Sequence, residues 1–213
     1  MFSKISATVI ITAAFLYAVV RYNVIKGVSW EHFPLLISNK AIALAAVGLI
    51  ALSYILGSLV RFFPKTFKKT LSARKFFGLF GFGLAAMHGL ISLLLFSPAN
   101  YPKFFLESGS LSLTGELSML FGVLAFFIFL IVAYTSIPVV AKTMDDKVWH
   151  RTQRLGYLAL MLTFLHVFFM GLEGWLKPEG WPGGLLPISM VAAIILALAL
   201  LLKLCALLFT KRP

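Results

Sequence analysis

Six long apolar stretches, separated by short polar connections, run through the whole chain of 213 residues. They lie at about 5–25, 40–60, 75–97, 115–139, 152–172 and 185–209. Each is close to the roughly 20 apolar residues that an α-helix needs to cross a hydrocarbon core about 30 Å thick. The pattern predicts an all-α integral membrane protein in which residues 1–213 form one domain, a single bundle of six transmembrane helices.

Composition supports this prediction. Hydrophobic residues make up 61% of the chain and charged residues 12%, whereas soluble domains carry roughly 25% charged residues. The six spans use up the chain, so a soluble catalytic or nucleotide-binding domain is not expected. The first stretch lacks an obvious small-residue cleavage site, and we interpret it as a retained span rather than a signal peptide.

The net charge of +12 is unevenly distributed along the chain. Basic residues crowd the connections after the second and fourth stretches and mark both termini: Arg61, Lys65, Lys68, Lys69, Arg74, Lys75, Lys142, Lys147, Arg151, Arg154, Lys4, Lys211 and Arg212. Cytoplasmic loops carry such an excess, so both termini and the two basic loops are expected in the cytoplasm. We interpret the charge as a topology signal that also contacts anionic membrane lipid, and expect no nucleic-acid partner.

Two histidines lie deep within apolar stretches. His88 follows Arg74 by 14 residues, and His166 follows Arg154 by 12 residues. At 1.5 Å per residue, the imidazoles are about 21 Å and about 18 Å from the cytoplasmic side. The third and fifth spans cross in the same direction, so the two side chains are expected at similar depth. An ionisable residue at such depth indicates a functional site.

The surrounding residues leave two interpretations open. Two neutral imidazoles at one level suit axial ligation of a heme iron, whereas zinc would need further ligands that this level does not offer. Small residues on the same helical faces would let a porphyrin approach: Gly78, Gly81, Ala85, Gly156, Ala159 and Thr163. The same stripes would also let one span pack directly against another.

Two further features bear on a heme. Cys205 is the single cysteine, so a CxxCH attachment motif is excluded and any heme would be held by coordination alone. Asn39 and Lys40 begin the second span on its outer side, where they are candidates for charge-assisted contacts to heme propionates. Extension of Lys40 to the membrane interface is the alternative.

Spans three to five resemble the ferric reductase-like transmembrane domain family. The segments that carry the resemblance are RKFFGLFGFGLAAMH at 74–88 and YTSIPVVAKTMDDKVWHRTQRLGYLALMLTFLH at 134–166. They include the Thr135-Ser136 pair and the spacing of Trp149, Tyr157 and His166. Within the family, the sequence is similar to the heme-binding membrane subunit of periplasmic methionine sulfoxide reductase systems.

The resemblance implies a b-type cytochrome in a bacterial or archaeal cytoplasmic membrane. His88 and His166 would be the axial ligands of a heme b between the third and fifth spans. The family pattern has a second histidine on the fifth span, 13 residues before the deep one, and that position is Gln153 here. One heme is therefore expected. His150, one turn away from Gln153, is the candidate ligand should a second heme be present.

The implied function is an electron relay from the cytoplasm to an outer acceptor. No flavin module fits within this chain, so the donor is expected to be a separate cytoplasmic flavin reductase or membrane quinol. The candidate contacts for that donor, or for bound FMN, FAD or quinone, are Arg74, Lys75, Arg151 and Arg154. Acceptors compatible with this scheme are a periplasmic oxidoreductase, a ferric chelate and dioxygen. The alternative is a non-redox transporter or assembly partner whose buried histidines only pack.

Overall fold

Eight α-helices form most of the computed structural model, which describes residues 2–209, with Phe2 described by its backbone alone. The basic residues Lys211 and Arg212, used above for orientation, lie outside the described residues. The helices are α1 Phe2–Val19, α2 Ser38–Phe62, α3 Pro64–Phe67, α4 Leu71–Leu95, α5 Leu113–Tyr134, α6 Pro138–Thr143, α7 Asp146–Trp175 and α8 Ile188–Phe209.

The predicted count of six spans is confirmed. The described residues contain six helical segments long and apolar enough to cross a membrane, which include the π-helical and 3₁₀ turns that extend some α-helices. Their bounds are Ser3–Ile25, Trp30–Phe62, Pro64–Leu95, Leu113–Tyr134, Asp146–Trp175 and Pro182–Phe209. The third and fifth spans of the sequence thus contain α4 and α7. The chain is an integral membrane protein.

The ends of the helices follow local chemistry. Helix α5 ends at Tyr134, and Pro138 occupies the start of α6, where the missing N–H costs no helical hydrogen bond. Helix α7 begins at Asp146, earlier than the predicted 152, because Asp145 caps it. The Asp145 carboxylate accepts hydrogen bonds from the backbone N–H groups of Lys147 at 2.9 Å and Val148 at 3.2 Å. The same helix continues to Trp175, past the predicted end at 172.

Helix α2 is the central element of the bundle. It packs against α1, α4 and α8, and the sequence of contacts α2–α4–α5–α7–α8–α2 closes a ring. Ala41, Ala45 and Leu49 of α2 are fully buried. The alanines lie four residues apart on one face, so neighbouring helices can approach α2 closely. This ring places the helices that carry the two deep histidines on either side of one core.

The outward faces of the helices are apolar. Leu90 and Leu94 of α4 are exposed by 65% and 86%, and Leu208 of α8 by 68%. Large exposed aliphatic side chains on so many helices would be unfavourable in water, and they suit contact with lipid chains. Polar side chains of the spans are accordingly found between helices, where they bond to one another or to backbone groups.

Candidate functional site

His88 lies in the C-terminal half of α4, seven residues before the helix ends at Leu95. Its imidazole is half-buried, and its Nδ1 atom lies 2.9 Å from Oδ1 of Asn39 on α2. The Asn39 amide nitrogen donates a hydrogen bond to Oγ of Ser92 at 2.9 Å, which leaves Oδ1 facing the imidazole. An amide oxygen can only accept, so this hydrogen bond places the proton of His88 on Nδ1.

His166 lies in α7, nine residues before the helix ends at Trp175, and is held in a similar way. Its Nδ1 atom lies 2.7 Å from the backbone carbonyl oxygen of Ser118 on α5. A carbonyl oxygen also only accepts, so the proton of His166 is again on Nδ1. The Ser118 hydroxyl lies 3.2 Å from the same nitrogen and donates to the His166 carbonyl at 3.3 Å.

Gly122 of α5 provides the space for the His166 ring. A Cβ atom at this position would lie 2.8 Å from Nδ1 and 3.1 Å from Cε1 of the imidazole. Ordinary van der Waals contacts begin at 3.4 Å, so a larger residue would displace the ring. The sequence offers no sign of this role, since Gly122 is remote from His166 in the chain.

Both imidazoles present the same atom for chemistry. Among the described residues, neither Nε2 atom of His88 or His166 has a hydrogen-bond partner. With the proton fixed on Nδ1, each Nε2 carries a free lone pair in a neutral ring, as in metal-ligating histidines whose other nitrogen donates to a carbonyl or carboxylate. This donor set fits the two axial positions of a heme iron.

A cluster of three protein ligands for another metal is not found. No group of three or more His, Cys, Asp or Glu side chains in the described part of the chain could hold a metal ion. The deep histidine pair therefore offers two nitrogen donors, which suits a macrocycle that supplies the other ligands to its own iron.

The predicted small-residue stripes lie mainly against α2. A Cβ atom at Gly81 would approach Ile50 to 2.8 Å, one at Gly78 would lie 3.4 Å from Ser53 Oγ, and Gly156 lies against the hydroxyl of Tyr54. These glycines allow close approach of α2, which is the packing use that the sequence left open. Ala159 is fully buried, and Ala85 and Thr163 are half-buried. A contact of this stripe with a heme stays a prediction.

Asn39 and Lys40 have different surroundings, although both are predicted propionate contacts. Asn39 is 2% exposed, and its amide is engaged with His88 and Ser92 as described above. Lys40 is half-buried, and its Nζ lies 5.2 Å from the centre of the Tyr22 ring, within cation–π range. The contact between Asn39 and His88 was missed by the sequence analysis, which considered Asn39 only as a propionate ligand.

The basic candidates for donor contacts lie near the N-terminal ends of α4 and α7. Arg74 is half-buried and donates from Nε to the Ser53 carbonyl at 2.9 Å, with its guanidinium against Gly57. Lys203 of α8 lies over the Tyr157 ring of α7, with its Nζ 4.6 Å from the ring centre. Lys203 was not among the predicted contacts. Lys75, Arg151 and Arg154 are exposed.

Gln153 joins the N-terminal part of α7 to the end of α5. Its Nε2 donates to the hydroxyls of Thr135 at 3.1 Å and Ser136 at 3.2 Å, with the Val132 carbonyl at 3.3 Å. His150, the candidate ligand for a second heme, is exposed. Its ring packs edge-on against that of Trp149, with 4.9 Å between centroids. Gln153 thus has a structural explanation that involves no cofactor.

Two tyrosines lie in the core between α2 and α7. Tyr54 of α2 and Tyr157 of α7 pack edge to face with 4.8 Å between ring centroids. The Tyr54 hydroxyl approaches Gly156, so the rings fill the space beside α7 one turn beyond Gln153. The core therefore has a polar part at the hydrogen-bonded histidines and an aromatic part at this tyrosine pair.

Comparisons with known proteins agree with this architecture. Residues 42–165 match the model of a family described as the ferric reductase like transmembrane component. The match runs from α2 into α7, includes His88 and ends one residue before His166. Metalloreductase STEAP2 of Mus musculus is 26% identical, over 91% of this chain and 47% of that protein. Metalloreductase STEAP2 of Homo sapiens is 27% identical, over 75% of this chain and 39% of that protein. The chain spans about half the length, or less, of these relatives.

Proposed function

The chain belongs to the ferric reductase like transmembrane family, and from this premise we propose that it is a b-type cytochrome that relays electrons across the membrane. One observation carries the proposal. His88 and His166 each donate from Nδ1 to a fixed acceptor and leave Nε2 unpartnered among the described residues. Packing alone would not require both rings to adopt the same tautomer with the same nitrogen free.

His88 and His166 would hold a heme b through their Nε2 atoms, between α4 and α7. The bound heme would supply a one-electron Fe(III)/Fe(II) couple, which is the chemistry that a relay needs. The chain's own contribution is to fix the two imidazoles, to keep them neutral and to exclude water with the surrounding apolar side chains.

One heme for each chain is favoured over two. The family position for an inner ligand is Gln153, whose amide is bound to the end of α5. Tyr54 and Tyr157 fill the core beside it, and His150 is exposed. A second heme would have to displace this packing and find a ligand on α4. The residues 13 and 14 positions before His88, at the same end of the bundle as Gln153, are Lys75 and Arg74, and neither is a histidine.

The donor would approach from the cytoplasmic side, where positive charge is concentrated. A separate flavin reductase, bound FMN or FAD, or membrane quinol would meet the exposed cations Lys75, Arg151 and Arg154 near the half-buried Arg74. Positive charge of this kind attracts acidic partners and phosphate groups and raises association rates. These assignments, like the cytoplasmic position of both termini, rest on the charge distribution.

The acceptor would lie on the outer side, nearer to the histidine pair. The two mammalian relatives are named metalloreductases, and this favours an oxidised metal ion or its chelate as acceptor over a periplasmic oxidoreductase or dioxygen. A bacterial or archaeal cytoplasmic membrane remains our prediction for the location.

Liposomes loaded with ferricyanide test the relay directly. Reduced FMN added outside should reduce the enclosed ferricyanide when wild-type protein is present. His88→Ala and His166→Ala should be no faster than protein-free liposomes. His32→Ala, which changes an exposed histidine of an outer connection, is the matched control and should keep the wild-type rate. Equal rates in all three variants, or a wild-type protein without heme, would support a non-redox protein whose histidines pack.

A further inference from the structure

Asn39 is the most deeply buried polar side chain at the histidine pair, together with Ser118. Its side chain is 2% exposed, although it lies on α2, a helix that carries neither deep histidine. Both polar atoms of its amide group form hydrogen bonds with side chains of α4. Oδ1 accepts from His88, and Nδ2 donates to Ser92. Ser92 follows His88 by one helical turn, so the amide spans the two side chains, and the Ser92 hydroxyl itself lies 3.4 Å from Nδ1 of His88.

The two histidines differ in what accepts their Nδ1 proton. His166 donates to a backbone carbonyl, which is part of the α5 helix and has a fixed acceptor strength. His88 donates to a side-chain amide, whose chemistry is set by the residue at position 39. In the described chain, the acceptor for His88 is therefore the one that a single substitution can strengthen or remove.

We propose that Asn39 is a positioning residue that fixes the Nδ1–H tautomer of His88 and sets how strongly its Nε2 donates to a bound iron. The proposal rests on the proposed function, since it concerns the same site. A hydrogen bond from Nδ1–H increases the basicity of Nε2, and a stronger acceptor increases it further. A more basic ligand stabilises Fe(III) relative to Fe(II), and it lowers the reduction potential.

Two substitutions at one position should therefore act in opposite directions. Asn39→Asp places a carboxylate beside Nδ1, strengthens the hydrogen bond and should lower the potential. Asn39→Leu keeps a similar volume but removes the acceptor, so the potential should rise. A tenfold change in the relative stability of the two oxidation states corresponds to about 59 mV for a one-electron couple. We expect a change of about this size for each variant, with a loss of heme affinity of about 10–100-fold in the leucine variant.

The experiment is a redox titration of the full-length purified protein, followed optically, with the electron paramagnetic resonance spectrum of the oxidised form as a second readout. Ser58→Ala is the matched control. Ser58 is buried on the same helix and donates to the Tyr54 carbonyl, but it lies about 28 Å along α2 from Asn39. Ser92→Ala provides a second test that leaves Asn39 in place. It frees the amide to turn and should raise the potential less than Asn39→Leu does.

Opposite shifts for the aspartate and leucine variants, with an unchanged Ser58→Ala, would support the proposal. Shifts of the same sign, or unchanged potentials in the heme-loaded variants, would overturn it, because a merely structural role would alter occupancy alone. If neither position 39 variant can be purified, an unchanged potential in Ser92→Ala overturns it. These failures leave the proposed function intact, whereas a wild-type protein without heme would overturn both.

Discussion

Gly122→Ala adds one methyl group against the His166 imidazole, and it tests whether the position of that ring matters. The new Cβ would lie 2.8 Å from Nδ1, 3.1 Å from Cε1 and 3.3 Å from Cγ of the ring. Ordinary contact starts at 3.4 Å, so the ring has to withdraw by about half an ångström or more. The ring cannot withdraw freely, because Nδ1 is held 2.7 Å from the Ser118 carbonyl oxygen.

The expected cost follows from this conflict. Overpacking by one methyl group costs typically about 1–3 kcal/mol, and disturbing the groups that orient a metal ligand costs about 10–100-fold in affinity. A factor of ten corresponds to about 1.4 kcal/mol, so the two ranges overlap. We therefore expect heme affinity to fall by about one to two orders of magnitude, with the fold retained.

Heme titration of the purified variant, followed by the Soret absorbance, measures this loss. Gly89→Ala is the matched control, because Gly89 follows His88 in α4 and a Cβ there would meet nothing within 4 Å. Both variants make the same chemical change inside a membrane helix. Equal heme affinity in the two variants would refute the reasoning, since only Gly122 touches a proposed ligand.

Three further predictions follow from the inner half of the molecule. Gln153→His should lower the melting temperature, because the substitution removes hydrogen bonds to the end of α5 that are worth about 1 kcal/mol each. The heme content should stay at one for each chain. A rise to two hemes in a pyridine hemochrome assay would contradict this prediction. Gly156→Ala should destabilise the protein through its contact with Tyr54, by about 1–3 kcal/mol in thermal unfolding, and adding Tyr54→Phe should recover part of the loss; equal stability of single and double variants would argue against the contact. Charge removal at the exposed cations Lys75, Arg151 and Arg154 should slow heme reduction by an acidic flavin reductase at low salt without changing the heme spectrum, as measured by stopped-flow absorbance. Lys177→Gln, at the opposite end of α7, should leave the rate unchanged. An unaltered rate after charge removal would show that these three cations do not guide the donor.

Hydrophobic patterning was sufficient to predict the six spans, because length and apolar composition decide whether a helix can cross a bilayer. Helix ends were less accessible. Helix α7 starts six residues before the predicted position, because the Asp145 carboxylate caps a polar first turn that apolar patterning does not detect. At its other end, the helix continues beyond the apolar stretch, through Glu173, to Trp175.

The sequence also pointed to the two deep histidines, since a titratable group is costly in an apolar span. It did not indicate their partners. His88 bonds to a residue 49 positions away on another helix, and His166 bonds to a backbone carbonyl, which every residue has. The small residues were visible, but only tertiary packing decides which neighbour approaches them, and for Gly78, Gly81 and Gly156 that neighbour is α2.

The central claim, that His88 and His166 hold a single heme through their free Nε2 atoms, is tested most directly by the amount of heme bound to each chain. A pyridine hemochrome assay on wild-type protein, His88→Ala and His166→Ala, all purified from heme-replete cells, makes this measurement. We predict one heme for each wild-type chain and almost none in either variant. A colourless wild-type protein, two hemes for each chain, or full heme content in either variant would contradict the claim.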